Sequence, residues 1–246
     1  MPSVTEHYEN VLAGHYSWLF GGMESKVEEN HTFFATHGIK PLRNTVAVDL
    51  GCGSGFQSIP LAQLGFRVIA VDLSPTLLAE LSAHKGDLRI ETVQADLLQF
   101  SCHLQGPAAL FVCMGDTLTH LDSRATIAKL FQQVSENLEH EGTFILTFRD
   151  LSAELTELDR FLPLRSEPTR IFTCYLEYEP EYVKVHDLIY EHIDNQWQLN
   201  KSFYRKCRVP FAWAKETLLQ AGFELQLATL EKGLITIIAR KQKSPR

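Results

Sequence analysis

Several protein classes are excluded by what this sequence lacks. It has no stretch of about 18 apolar residues, so no helix is expected to span a bilayer. Residues Met1 to His7 contain no basic region followed by an apolar run, so no signal peptide is expected. The five cysteines, Cys52, Cys102, Cys113, Cys174 and Cys207, are odd in number and form no CxxC pair. A reduced, cytoplasmic setting is the simplest expectation. The ten histidines are scattered, without HExxH or a paired Cys/His spacing, so no metal site is expected. Basic residues are also short, 23 against 30 acids, leaving a net charge of −7. That balance argues against a nucleic-acid partner, which needs clustered Lys and Arg, and against docking on anionic lipid.

What remains is an ordinary globular composition, with 45% hydrophobic and 22% charged residues in a chain of 246. One domain over 1–246 is expected. Residues 5–38 read as helical, broken at Gly21-Gly22, with a second helix carrying Val27, Phe33 and Phe34 and ending near Gly38. From Thr45 the period changes. Short β-rich runs at 45–50, 67–72, 88–93, 108–113 and 143–148 alternate with helices, including one capped by Ser74-Pro75 and one at 123–138. Such alternation gives an α/β fold, a doubly wound parallel sheet with helices on both faces, over 45–150. Past residue 150 three strand-like runs, 170–178, 182–192 and 197–209, form an antiparallel meander at 169–209. A helix and a hairpin at 210–240 close the chain, and the tail 241–246 reads as frayed.

The sharpest motif lies at the end of the first strand: Val48-Asp49-Leu50-Gly51-Cys52-Gly53-Ser54-Gly55. Glycines there let a backbone turn tightly and approach a ligand closely. A P-loop needs a Lys after the glycines, and none follows. A dinucleotide fingerprint needs glycine where Phe56 stands. The second strand ends at Asp72, an acid placed to accept both hydroxyls of a ribose, and the third is followed by Asp96. All three acids fall at the carboxyl ends of strands, where open α/β sheets bind ligands. Asp72 and Asp96 can equally cap the helix or turn that follows each.

Asp49, Gly51, Gly53 and Gly55 match the acid-x-G-x-G-x-G loop of the class I S-adenosylmethionine-dependent methyltransferases. Within that family the chain most resembles the glycine/sarcosine N-methyltransferases, through the segments 65–74, 113–121 (Cys-Met-Gly-Asp-Thr-Leu-Thr-His-Leu) and Phe148-Arg149-Asp150. The resemblance implies a Rossmann-like sheet of order 3-2-1-4-5-7-6 with its last strand antiparallel, and S-adenosylmethionine as cofactor. It places Gly51, Cys52 and Gly53 at the methionine part, Asp72 with Leu73 at the ribose, and Asp96 and Leu97 at the adenine, and it counts Asp49, Gly55 and Met114 among the cofactor-binding residues. It places Lys26 at the cofactor carboxylate and Tyr16 in a helical lid, where an aromatic face attracts the sulfonium. Arg149 falls where those relatives hold a substrate carboxylate. Asp116 stands where they carry Asn, a departure that counts against a glycine-like substrate.

The expected activity is therefore methyl transfer to a small-molecule acceptor, one that carries a carboxylate if Arg149 orients it. Asp116 and His120 are the candidates to take a proton. Other readings of the same residues stay open. Arg149 can pair with Asp150 or Glu154, Asp116 can cap a turn, His120 can be an ordinary half-buried histidine, and Lys26 can face solvent. The tyrosines and Trp197 of the meander (Tyr175, Tyr178, Tyr190, Tyr204) either line an acceptor pocket or are ordinary strand residues. The protein as a whole can also be a non-catalytic S-adenosylmethionine-binding protein or an NAD-type oxidoreductase. A monomer or a homodimer is expected.

Overall fold

The computed structural model describes residues 4–43 and 45–242; the end of the tail, 243–246, lies outside them. The chain opens with α1 (Val4–His7), continues through a π-helical stretch (Tyr8–Leu12) and a 3-10 turn (Ala13–His15), and ends its first segment in α2 (Tyr16–Leu19). The break at Gly21-Gly22 follows, with both glycines at positive φ, and then α3 (Met23–Thr36). The expected single helix is thus four short pieces, wound differently along its length.

Then come β1 (Val46–Leu50), α4 (Ser58–Gln63), β2 (Arg67–Asp72), α5 (Pro75–His84), β3 (Ile90–Gln94), β4 (Ala108–Cys113), α6 (Arg124–Asn137) and β5 (Leu138–Arg149). α5 is capped as its sequence promises, with Ser74 Oγ accepting from the Leu77 N–H at 3.1 Å. β3 starts two residues later than expected. β5 is much longer, because Glu141, at φ 64°, and Gly142 let the strand carry back to Leu138, which pairs with Ala108.

The insert follows as β6 (Phe161–Glu167), β7 (Arg170–Tyr178), β8 (Tyr182–Ile193) and β9 (Gln196–Cys207), then α7 (Phe211–Gln220), β10 (Phe223–Glu231) and β11 (Leu234–Lys241). The meander therefore has four strands and starts at residue 161, not three from 169. β6 is missed from sequence because Pro163 interrupts it and its residues are mostly exposed. Its edge position, paired to β7 alone, tolerates both.

The large sheet runs β10-β11-β5-β4-β1-β2-β3. In the numbering of its own seven strands this is 3-2-1-4-5-7-6, with β11 inserted antiparallel between β5 and β10. One side packs Val48, Phe111, Phe131 and Phe144 with the residues of α6 and α7; the other packs Ala47, Val68 and Leu110 with those of α3, α4 and α5. A separate core joins the N-terminal segment to the inner face of the insert, through Leu12, Phe172, Leu176, Val183 and Val185. No helix among the described residues is long and apolar enough to cross a membrane.

Candidate active site

The glycine loop leaves β1 at the middle of the sheet. Gly51 and Cys52 both donate their N–H to the Val71 carbonyl, at 2.8 and 3.1 Å, which folds the loop back over β2. Gly51 has φ +75°, and a Cβ there would lie 2.2 Å from Thr117 Cγ2. A Cβ on Gly53 would meet the Tyr16 ring at 3.4 Å. The loop is a backbone cradle that side chains would fill, as close approach of a ligand requires.

Asp72, at the end of β2, accepts from the Gly53 N–H at 2.8 Å and the Ser74 N–H at 2.9 Å, one on each carboxylate oxygen. Each oxygen keeps lone-pair capacity for a further donor. Ser74, not Asp72, is the helix cap. Burial pushes the Asp72 carboxyl up, and the backbone donors oppose it. Asp96 caps the 3-10 turn Leu97–His103 through the Leu98 N–H at 2.8 Å, and its side chain still faces the cavity. Asp49 lies beneath the loop, 1% exposed, and accepts from Ser58 Oγ at 2.6 Å. It lines neither cavity, and Gly55 does not either. Burial raises the Asp49 carboxyl to about 7.

Two chambers meet at this loop. The first, about 580 Å³, is walled by Gly51, Gly53, Asp72, Leu73, Asp96 and Leu97, with His120 opposite. The second, about 540 Å³, holds Lys26, Cys52, Met114, Asp116 and Arg149 and is roofed by the insert. Gly51, Thr117, Tyr8, Tyr16 and Tyr204 line both. The three tyrosines form the waist, with ring centroids 6.2 Å apart for Tyr8–Tyr16 and for Tyr8–Tyr204. Tyr16 also stacks on Phe56 at 5.5 Å, so the residue that breaks the dinucleotide fingerprint supports the waist. Burial pushes all three phenols up, so they stay protonated.

The N-terminal segment is held over the loop by two carboxylates. Glu9 accepts from Ser74 Oγ and from Thr76 Oγ1, the latter at 2.6 Å. Glu80 accepts from Ser17 Oγ and from Ser54 Oγ, the latter at 2.5 Å. Inside, His7 and Asp187 form a buried pair at 2.9 Å that fixes the segment to β8.

At the polar end of the second chamber, Asp116 accepts from Lys206 Nζ at 2.7 Å and from the Arg149 N–H at 2.9 Å; the Arg149 Nε lies 3.5 Å away. Burial alone would raise this carboxyl, but Lys206 and Arg149 outweigh it and hold it at about 2. Arg149 pairs with Asp116 rather than with Asp150 or Glu154; Glu154 is taken by Arg208 at 2.7 Å. Asp116 caps nothing with its side chain. His120 Nε2 lies 3.2 Å from the Tyr8 hydroxyl. Burial and the Lys206 ammonium push its imidazole down to about 3, so it is neutral. A general base works best with a pKa near the operating pH, and neither Asp116 nor His120 is tuned there. Lys26 reaches the chamber while paired to Glu29 at 2.7 Å.

Of the meander aromatics singled out from sequence, only Tyr204 lines a chamber. Strand alternation turns the inner face of β7 and β8 to Phe172, Cys174, Leu176, Val185 and Asp187. Tyr175 and Tyr190 therefore point to the outer face. Tyr8, Thr117, Asp187 and Lys206 were missed. A lysine in register with the inward Tyr204 of an amphipathic strand was the readable signal for Lys206.

A methyltransferase-domain family model matches residues 47–142, the part of the chain that carries the loop and Asp72, Asp96 and Asp116. The chain is 29% identical over 189 residues to the glycine/sarcosine N-methyltransferase of Aphanothece halophytica, covering 73% of this chain and 68% of that one. It is 32% identical over 155 residues to the enzyme of the same name from Parasynechococcus marenigrum, covering 59% and 53%. It thus spans about two thirds of the first relative and about half of the second. Among solved structures it is similar to an S-adenosylmethionine-dependent methyltransferase from Clostridium acetobutylicum, with TM-score 0.74, 15% identity and 96% coverage of both chains. An amino pentose methyltransferase from Micromonospora echinaspora, solved with S-adenosylmethionine bound, gives TM-score 0.71 at 14% identity over 98% of this chain and 99% of that one. The sheet order, the glycine cradle and these likenesses agree: residues 47–142 match a methyltransferase domain, the chain is similar in sequence and fold to class I S-adenosylmethionine-dependent methyltransferases, and these findings support S-adenosylmethionine as its methyl donor.

Proposed function

We propose that this protein methylates a small molecule bearing an acidic group, with the nucleoside of the donor in the first chamber and the acceptor in the second. One observation carries this reading: the two chambers share Gly51 and Tyr16, so a donor with its nucleoside in the first and its methionine part reaching across the waist toward Lys26 would face an acceptor in the second. Asp72 would hold the ribose hydroxyls, Asp96 and Leu97 the adenine edge, and Lys26 the carboxylate of the methionine part. When bound, S-adenosylmethionine supplies a methyl group on an already activated, positively charged sulfur.

The protein's part is then chiefly positioning and exclusion of water. The tyrosine faces of the waist suit a cation, and the clasped N-terminal segment closes the chamber from above. With Asp116 tied up as an ion pair and His120 neutral but weakly basic, the acceptor is expected to arrive in its nucleophilic form. Around Asp116 two cations, Lys206 and Arg149, face one carboxylate. The guanidinium of Arg149, 62% exposed, is free to take a second carboxylate with two parallel hydrogen bonds.

A screen of metabolite extract with isotopically labelled methyl donor would show which molecule gains the label. With that acceptor, Arg149→Lys should lower kcat/KM about tenfold or more while S-adenosylhomocysteine binding holds, since Lys cannot reproduce the fork. Equal loss of both would overturn this role for Arg149.

A further inference from the structure

The roof of the second chamber is apolar wherever it does not bear a paired charge. Leu12 from the N-terminal segment and Leu162, Phe172, Cys174, Leu176 and Val185 from the insert line it. Among the described residues, Asp187 and Lys206 are the only acidic or basic side chains of the insert's inner face that also line it, and both are already partnered: Asp187 by His7 at 2.9 Å, Lys206 by Asp116 at 2.7 Å. A small, fully polar acceptor such as glycine would leave this surface facing water. A polar head at Arg149 and an apolar body under the insert would satisfy both ends.

Resting on the proposed division of the two chambers, we infer that the acceptor is an amphiphile: a carboxylic acid whose nucleophilic amine, arriving as the free base, lies near the carboxylate and whose body is a bulky aliphatic or aromatic group. The insert then selects substrates by apolar contact, while Arg149 selects the acid. Asp116 in place of the relatives' Asn fits this division, since its carboxylate is used to seat Lys206 and the Arg149 backbone and not to contact a small substrate.

The test is a methyl-transfer assay on the full-length protein. Acceptors are glycine, leucine and phenylalanine, so that head group and nucleophile stay constant while the body grows. S-adenosylhomocysteine binding is followed in parallel by calorimetry. Across this series kcat/KM should rise about a hundredfold from glycine to the bulkiest acid, because each well-placed methylene is worth tenfold or more. Leu164→Asp, at a half-exposed position on the rim of the same roof, should cut use of the bulky acids about tenfold with S-adenosylhomocysteine binding unchanged. Equal or better use of glycine would overturn the inference and leave the methyltransferase reading standing. So would label entering none of the acids while S-adenosylhomocysteine binds. Absence of S-adenosylhomocysteine binding would instead strike the division of the chambers on which the inference rests.

Discussion

The floor and the roof of the site are built on opposite principles. The floor is mostly backbone: a glycine loop and three strand ends within residues 49–97, where the loop's peptide N–H groups tie to the strand-end acid Asp72. The roof is side chain, gathered from far apart in sequence. His7 meets Asp187 across 180 positions, Tyr8 meets His120 across 112, and Lys206 meets Asp116 across 90. A floor of this kind recognises a constant part of a ligand, because backbone geometry does not change with side-chain substitution. A roof of side chains can be rewritten residue by residue, which suits the part that must fit one particular acceptor. Changes in the floor should therefore cost donor binding, and changes in the roof should cost acceptor use alone.

The sharpest way to break that division is Gly51→Ala. Positive φ costs a non-glycine residue about 1–3 kcal/mol, and the new Cβ would overlap Thr117. Affinity for S-adenosylhomocysteine should fall about a hundredfold or more by calorimetry. Next comes Asp72→Ala, which removes the acceptor proposed for the ribose and the tie to Gly53 and Ser74. A hydrogen bond to a charged group is worth roughly 1.5–3 kcal/mol, so the loss should be about ten- to a hundredfold. An unchanged dissociation constant would reduce Asp72 to a loop tie.

On the roof, Lys206→Met should do the reverse. Acceptor kcat/KM should drop about tenfold, the low end for a lost charge-assisted bond, while S-adenosylhomocysteine affinity stays within about twofold. Asp116 would rise from about 2 once its ammonium partner is gone, so activity at mildly acidic pH should fall further in the variant than in the parent.

The smallest effect separates the two layers by pH. Asp49, below the floor, is raised to about 7, so its contribution to stability is lost as pH climbs from about 4 to 7. His120, against the roof, is lowered to about 3, so its contribution is intact above its unfolded pKa of 6.5 and is lost as pH falls from there toward 3. Between about pH 4 and 6.5 the two oppose each other. Asp49→Asn should therefore gain stability relative to the parent between pH 5 and 7, by about 1–2 kcal/mol in urea denaturation. The variant alone should show the His120 decline on acidification. A parallel pH dependence in the two proteins would count against a buried, protonated Asp49.

Local pattern made the floor readable. Continuous β-rich runs, a glycine motif and an acid at each strand end are all contiguous in sequence, and each expected strand of the large sheet is present, with only its ends shifted. The capping of α5 by Ser74 was legible for the same reason. The long N-terminal helix was less so. Its apolar spacing is helical, but the π and 3-10 turns arise where the chain must bring Tyr8, Glu9 and Tyr16 to three different partners at once.

The amino-acid sequence by itself determined the sheet and the loop, because periodicity, glycine conformations and strand-end acids act over a few residues; the donor was legible through the loop's resemblance to known methyltransferases. Only the tertiary structure decided that β6 joins the insert and that Asp116 is bound to Lys206 and Arg149. It also decided that Tyr204, alone among the meander aromatics singled out from sequence, reaches the site. Those outcomes depend on which face of a strand is covered and on which distant charge is nearest, and burial is a property of the packed whole.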